Sequence, residues 1–210
     1  MDYSTIVARS LLQIGAVKID MRYPFRWTSG IVAPIYTDNR LIWSDVPVRT
    51  LVVEALDHAA ARFLPFDVVV GVATAGIPPG AMLAQRLRKP FLYVRSKAKA
   101  HGTKSHIEGK AAPQSSALIV EDLISTGGSV RNAYEILRAA EIVPIGVLSI
   151  FNYLLTEGQN TLEQLQIPSF SLTNIDILLR EAEKLSYLSA AEREELLHWL
   201  YSPKNRRKIP

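Results

Sequence analysis

The chain carries, at residues 117–129, the run Ala117-Leu118-Ile119-Val120-Glu121-Asp122-Leu123-Ile124-Ser125-Thr126-Gly127-Gly128-Ser129. Its four apolar residues at 117–120 predict a strand that is buried on both faces. Glu121 and Asp122 then stand at the end of that strand, and a turn of hydroxyl-bearing residues and glycines enters a helix. Unpaired N–H groups at a helix start favour phosphate, whereas carboxylates accept hydrogen bonds from sugar hydroxyls. The run therefore predicts a binding site for a ribose 5-phosphate group.

Strands and helices are predicted to alternate around this run. The strands are expected at 67–72, 90–95, 117–122 and 144–151, and the helices between them at 78–88 and 128–140. Such alternation favours an α/β fold, in which helices cover a parallel sheet on both sides and ligands bind at the carboxyl ends of the strands. The flanking sequence predicts helices at 5–14, from 44 to about 64, at 173–188 and from 189 onward, with short strands and turns at 17–43.

Two common nucleotide-binding motifs do not fit the sequence. Gly71 and Gly76 have the spacing of a P-loop, but Ile77 stands where that motif requires lysine. No Gly-x-Gly-x-x-Gly pattern follows a predicted strand. The sequence therefore argues against an ATPase and against a dinucleotide-dependent enzyme.

The composition is that of a globular protein with an ordinary core, since 48% of the 210 residues are apolar. No apolar run approaches the roughly 20 residues that cross a bilayer, and the N-terminus has no basic region followed by an apolar stretch. The sequence has no cysteine, which excludes disulfides and thiolate chemistry. We expect a cytoplasmic protein without a membrane partner.

The excess positive charge lies mainly at the C-terminus. The formal net charge is +4, and residues 203–210 contain four cations and no acid, namely Lys204, Arg206, Arg207 and Lys208. The rest of the chain is therefore close to neutral. We interpret the basic segment as a solubilising tail and expect no nucleic-acid partner.

Residues 117–129 resemble the motif that binds phosphoribosyl pyrophosphate (PRPP) in type I phosphoribosyltransferases. The segments 25–40, 71–78, 93–102 and 107–109 are similar to those family members that act on orotate, so the resemblance spans about residues 5–155. It implies the type I phosphoribosyltransferase fold, with a central, mainly parallel sheet flanked by helices. Residues 1–210 would form one domain, divided into a hood at about 1–43, a core at about 44–155, a helical extension at about 156–202 and the tail at 203–210.

The resemblance also implies a reaction and its partners. Members of the family that act on orotate transfer ribose 5-phosphate from PRPP to N1 of orotate and release pyrophosphate. The resemblance implies Mg²⁺ held mainly through substrate oxygens and water, with no dedicated protein metal site. It further implies a homodimer with shared active sites, because a flexible loop reaches into the partner subunit's site.

Site residues are implied position by position. Binding of PRPP is implied for Thr74, Ala75, Gly76, Arg95, Lys99, His101, Glu121, Asp122, Leu123, Ile124, Ser125, Thr126, Gly127, Gly128 and Ser129. Catalytic roles are implied for Lys99, His101, Glu121 and Asp122, and contacts with orotate are expected from Ser125, Tyr36 and Tyr153. The chain departs from the family pattern at Thr28 and Tyr153, where many members carry lysine and arginine.

Residues 95–110 form a basic segment that is expected to be a mobile loop. Its only acid is Glu108, and its cationic and titratable residues are Arg95, Lys97, Lys99, His101, Lys104, His106 and Lys110. A solvated run of charges and a non-specific nucleic-acid patch are the alternatives to a functional loop. The functional hypothesis is a lid whose cations neutralise the pyrophosphate leaving group as the site closes. Lys97 could replace the lysine that many relatives carry at the position of Ser96.

Two other functions are alternatives to transfer to orotate. A phosphoribosyltransferase for purines or another base would use the same chemistry, but residues 25–40 argue against it. A PRPP-sensing regulator that binds nucleic acid would have lost the catalytic loop. The chain retains Arg95, Lys99 and His101, which favours an enzyme.

Overall fold

The structure is a computed structural model that describes residues 2–27, 30–96 and 106–202. The chain divides into two compact units, the first comprising residues 1–48 and 173–210 and the second residues 49–172. Lys97, Lys99, His101, Lys104, Thr28 and the tail at 203–210 lie outside the described residues. The predictions made for them therefore remain predictions from sequence.

Helices and strands alternate along the described part of the chain, mostly one after the other. The first nine are α1 (Tyr3–Gln13), β1 (Val17–Ile19), β2 (Phe25–Arg26), β3 (Val32–Ala33), β4 (Ile35–Thr37), α2 (Val46–Ala60), β5 (Val68–Val72), α3 (Ile77–Leu87) and β6 (Phe91–Val94). The remaining eight are β7 (Ile107–Glu108), β8 (Ser116–Ile124), α4 (Gly128–Ala139), β9 (Val143–Asn152), α5 (Thr156–Gln164), β10 (Ser169–Asn174), α6 (Ile175–Lys184) and α7 (Ala190–Tyr201). Within the described ranges, no helix combines the length and the apolar character needed to cross a membrane.

The first unit joins the N-terminal segments to the last two helices. Helix α1 packs against α6, and two small antiparallel sheets form from β1 with β4 and from β2 with β3. An ion pair of 2.5 Å links Arg9 of α1 to Glu181 of α6, and Lys184 and Arg9 together hold the pKa of that buried carboxyl below its usual range. A capping box formed by Ser189 and Glu192 starts α7, at the position where the sequence predicts the last helix to begin.

The second unit is built on a six-stranded sheet with the strand order β10-β9-β8-β5-β6-β7. Strand β8 pairs in parallel with β5 and with β9, and β5 pairs in parallel with β6. The pairing of β6 with the short edge strand β7 is antiparallel. The predicted α/β architecture with a mainly parallel sheet flanked by helices is confirmed.

The apolar residues of the central strands form the core of this unit. All five residues of β5 are buried, and Ala117 to Val120 of β8 are fully buried, as expected for strands covered on both faces. Helix α4 buries Val130, Ala133 and Leu137, whose spacing places them on one side of the helix. The core positions of the sheet therefore hold α4 in place, and with it the turn that precedes it.

Two details of the sheet differ from the expectation. Strand β8 continues to Ile124, beyond the predicted end at 122, because its pairing with β9 extends to Ile124 and Asn152. Strand β10 was missed, since residues 169–174 contain four polar residues and lie at a sheet edge where few apolar residues are needed. Local sequence does not reveal such a strand because its neighbour in the sheet supplies the hydrogen bonds.

Truncation of Leu137 should weaken the core of the second unit. We expect Leu137→Ala to lower the free energy of unfolding by about 2–5 kcal/mol, because it leaves a cavity under α4. Urea denaturation followed by circular dichroism measures this change. The matched control is Glu135→Ala on the exposed face of the same helix, for which the change should stay within about 0.5 kcal/mol. Equal losses in both variants would contradict the assignment of Leu137 to the core.

Candidate active site

The turn between β8 and α4 forms a concave backbone surface. Gly127 has a φ of 76°, in the left-handed region that glycine adopts without strain. A small cavity of about 40 Å³ lies here, and its lining residues are Glu121, Leu123, Ile124, Ser125, Thr126, Gly127, Gly128, Ser129 and Val130. The first N–H groups of α4 have no partner within the helix, so this surface can receive an anion such as phosphate.

The two acids lie inside strand β8, because the strand runs two residues past them. Glu121 is only 5% exposed and lines the cavity, whereas Asp122 is half-buried and does not. The N–H of Asp122 donates to Oε1 of Glu121 over 3.0 Å. Consecutive residues of a strand point to opposite faces, and the expectation that both carboxylates stand at the strand end was wrong in this detail.

Burial determines the electrostatics of Glu121. Desolvation raises the pKa of its carboxyl well above the usual value, and the neighbouring negative charge of Asp122 raises it further. A buried carboxyl with a raised pKa is costly for the fold unless a ligand supplies hydrogen bonds to it. Such a group is therefore a candidate for substrate contact.

The loop after β5 lies beside the same edge of the sheet. It contains Thr74, Ala75 and Gly76, and the peptide bond between Ala73 and Thr74 is cis. Gly71 of β5 is paired with Val120 of β8, and a Cβ on Gly76 would lie 2.7 Å from the carbonyl oxygen of Val120. Only a glycine at position 76 allows the loop to lie this close to β8. The structure thus brings the predicted pyrophosphate loop next to the end of the strand that carries the acids.

Arg95 follows β6, the strand on the other side of β5. Its N–H donates to the carbonyl oxygen of His106 over 2.8 Å, and its guanidinium lies 3.4 Å from a carboxylate oxygen of Glu108. The pairing of β6 with β7 therefore joins the two ends of the predicted basic lid. Lys99 and His101 lie outside the described residues, so only the base of that segment is defined.

The three residues expected to contact orotate are in different settings. Ser125 belongs to the turn after β8 and lines its cavity. Tyr153 is 2% exposed, and its ring packs edge-on against Phe151 with 5.0 Å between the ring centroids. Tyr36 lies in β4 of the first unit, where its ring is 6.0 Å from that of Phe25. Their contacts with a base remain predictions.

Helix α5 also contacts the turn, and the sequence analysis missed this. The hydroxyl of Thr161 lies 3.0 Å from the carbonyl oxygen of Thr126, and a Cβ on Gly158 would lie 2.2 Å from the carbonyl oxygen of Ser125. Such contacts join residues more than 30 positions apart, and no local motif announces them. Among the described residues, no group of three or more His, Cys, Asp or Glu side chains is arranged to hold a metal ion.

Comparison with known proteins assigns a family context to this geometry. The family model for the phosphoribosyl transferase domain matches residues 49–176. Orotate phosphoribosyltransferase from Halalkalibacterium halodurans is 42% identical over 198 residues, which cover 94% of this chain and 94% of that protein. The crystal structure of orotate phosphoribosyltransferase from Aeropyrum pernix has a TM-score of 0.74 and 29% identity, and the match covers 87% of this chain and 99% of that one.

A larger protein shares the fold. The structure of UMP synthase from Leishmania donovani matches 94% of this chain with a TM-score of 0.81 and 23% identity. The chain spans 42% of the length of that protein. This likeness shows the fold alone.

Replacement of Glu121 by glutamine should stabilise the fold in a pH-dependent way. A carboxyl whose pKa is raised on folding adds to the free energy of unfolding, and this addition is fully present below the pKa of the unfolded state. The addition is lost as pH rises through the pKa of the folded state. Glu121→Gln cannot ionise, so its Tm should exceed that of the wild type at pH 8 and approach it near pH 4.5. Each gain of about 1 kcal/mol corresponds to about 2–4 °C in Tm.

Thermal unfolding between pH 4.5 and pH 8.5 measures this difference. The control is Glu135→Gln, which removes an exposed carboxyl from α4. Its Tm should run parallel to that of the wild type across the range. A pH-independent offset for Glu121→Gln would show that ionisation of this group does not affect stability.

Proposed function

Because the chain belongs to the phosphoribosyltransferase family, we propose that it transfers the ribose 5-phosphate group of PRPP to N1 of orotate. The products are orotidine 5′-monophosphate and pyrophosphate, and the reaction belongs to pyrimidine (UMP) biosynthesis. One structural observation supports the proposal most strongly. A buried acid lines the cavity of a turn that can bind phosphate, at the sheet edge that also carries the Thr74–Gly76 loop and Arg95.

The turn after β8 would bind the 5-phosphate. Free N–H groups at the start of α4 and the hydroxyls of Ser125, Thr126 and Ser129 are donors that suit phosphate oxygens. Glu121 and Asp122 would accept hydrogen bonds from the ribose hydroxyls. These bonds would offset the cost of burying Glu121, and they would fix the sugar with C1′ near the pyrophosphate loop.

The chemical step exchanges one bond at C1′ for another. The C1′–O bond to pyrophosphate breaks, and its electron pair leaves with the pyrophosphate. N1 of orotate forms the new bond to C1′ and loses its proton to an oxygen of the departing pyrophosphate or to water. Positive charge develops on the ribose ring during this exchange, so the acids of β8 would stabilise it electrostatically.

Charge on the leaving group would be neutralised by cations that follow β6 in the sequence. Arg95 stands at the carboxyl end of β6, and we assign Lys99 and His101 of the basic segment to the same task from the sequence resemblance. The backbone N–H groups of Thr74, Ala75 and Gly76 would contact the pyrophosphate. These interactions are strongest where water is excluded, which is the physical reason for a closing lid.

The donors at this edge suit magnesium, because carboxylate and hydroxyl oxygens are the ligands that Mg²⁺ prefers. We propose that the ion is held mainly through substrate oxygens and water beside Glu121 and Asp122. When bound, it neutralises charge on the pyrophosphate. We also propose a cytoplasmic homodimer with shared sites, on the strength of the family resemblance.

A direct assay tests the proposed reaction. Purified protein with PRPP, Mg²⁺ and orotate should consume orotate, which is followed by its ultraviolet absorbance, and should release pyrophosphate in equal amount. The same protein should show no turnover when adenine or hypoxanthine replaces orotate. Turnover of a purine without consumption of orotate would overturn the assignment of the base and leave the PRPP chemistry intact.

Variants of two lysines in the basic segment distinguish the hypothesis of a catalytic lid from that of a solvated run of charges. We expect Lys99→Ala to lower kcat at least about 100-fold, because it removes a cation from the developing pyrophosphate charge. Lys97→Ala is the matched variant, since it removes the same charge two residues away. If only Lys99 matters, Lys97 is solvated charge. Equal, small effects in both variants would contradict the lid hypothesis.

A further inference from the structure

The turn that lines the cavity is supported from behind by α5. Three consecutive residues of the turn contact this helix, and they are Ser125, Thr126 and Gly127. The carbonyl oxygen of Ser125 would lie 2.2 Å from a Cβ on Gly158, so the backbone of the turn meets the backbone of α5 at a position that only glycine permits. The two segments are therefore in direct backbone contact.

Thr161 makes the other two contacts. Its hydroxyl lies 3.0 Å from the carbonyl oxygen of Thr126 and 2.8 Å from that of Glu157 in the preceding turn of α5. Its methyl carbon would be 2.8 Å from a Cβ on Gly127, so Thr161 also fills the space behind that glycine. The side chain is 7% exposed, which removes water as a competing partner for the carbonyl oxygens.

Arg131 orients the hydroxyl of Thr161. Its guanidinium donates to Oγ1 of Thr161 over 3.3 Å and also to the side-chain oxygen of Gln164. A hydroxyl that accepts from Arg131 keeps its single hydrogen for donation, and this hydrogen is shared between the carbonyl oxygens of Thr126 and Glu157. Arg131 is in the first turn of α4, so the contact also ties the start of that helix to α5.

The direction of these contacts determines where the N–H groups point. In a trans peptide unit the C=O and the N–H of the next residue point in opposite directions. The carbonyl groups of Ser125 and Thr126 face α5, so the N–H groups of Thr126 and Gly127 face away from it. Thr126 and Gly127 line the cavity, and no residue of α5 is among the described residues that line it.

We propose that α5 sets the affinity of the turn for the 5-phosphate group, with Thr161 as the positioning residue. The helix holds the carbonyl groups of Ser125 and Thr126 on one side of the turn. The N–H groups of the same peptide units are thereby aimed at the phosphate on the other side. The inference rests on the proposed function in assigning the 5-phosphate to this turn. It adds a residue that contacts no substrate and acts only through the backbone of the turn.

Three variants of α5 test the inference by isothermal titration with ribose 5-phosphate as the probe. Thr161→Val keeps the shape and removes the hydroxyl, and we expect binding about 5- to 10-fold weaker than in the wild type. Thr161→Ser restores the hydroxyl and should bind within about 2-fold of the wild type. Thr156→Val, at the exposed start of the same helix, is the control and should bind as the wild type does.

Steady-state kinetics give a second test, because a purely structural role of Thr161 would not change the KM for PRPP selectively. Thr161→Val should raise the KM for PRPP by a similar factor and leave the KM for orotate unchanged. A uniform loss of kcat with both KM values unchanged would overturn the inference. Should Thr161→Val fail to fold, Gly158→Ala tests the same support, because its Cβ displaces the carbonyl of Ser125 and should also weaken binding of ribose 5-phosphate.

The failure of this inference and that of the proposed function are distinguishable. Weaker binding of ribose 5-phosphate by Thr161→Val supports the inference even if the protein does not consume orotate. Turnover of orotate together with wild-type binding by Thr161→Val overturns the inference and leaves the proposed function standing. A wild-type protein that does not bind ribose 5-phosphate at all overturns the inference as well.

Discussion

Parallel pairing of β8 with β5 and β9 is the constraint on which the rest of the second unit depends. Parallel strands place their carboxyl ends at one edge of the sheet, and loops that are distant in sequence meet there. The Thr74–Gly76 loop, Arg95 and the turn after β8 all stand at this edge. The register of Gly71 with Val120 adds a second constraint, because Gly76 approaches β8 closely enough to exclude any side chain.

Burial of the Glu121 carboxyl lowers the stability of the fold. Glu121 is buried within β8, and burial raises the pKa of its carboxyl well above the usual value. A protein without a ligand for this carboxyl gains nothing from it, since a buried charge lowers stability unless it is hydrogen-bonded. In the proposed site, hydrogen bonds from ribose hydroxyls would add to the one that Glu121 accepts from the N–H of Asp122. Under the proposed function, stability and substrate recognition compete at this one residue.

Backbone N–H groups are the main anion-binding groups of the turn after β8 in the proposed site. The side chains of Ser125 to Ser129 are small, so this part of the cavity lining offers a ligand mainly peptide units and hydroxyls. Peptide units present N–H groups to an anion only when their carbonyl groups face the other way. Helix α5 provides that opposite surface through Gly158 and Thr161. The ability of the turn to present N–H groups to an anion therefore depends on both the turn and α5.

The sequence by itself determined the fold class, the order of the central strands and helices along the chain, and the turn that follows Glu121 and Asp122, because hydrophobic periodicity and glycine positions are local signals. Only the tertiary structure decided that β8 continues to Ile124, that β10 joins the sheet and that Thr161 supports the turn. These features depend on hydrogen bonds and close contacts between segments that are far apart in the chain. Such contacts leave no periodic trace in either segment, and the folded chain alone reveals them.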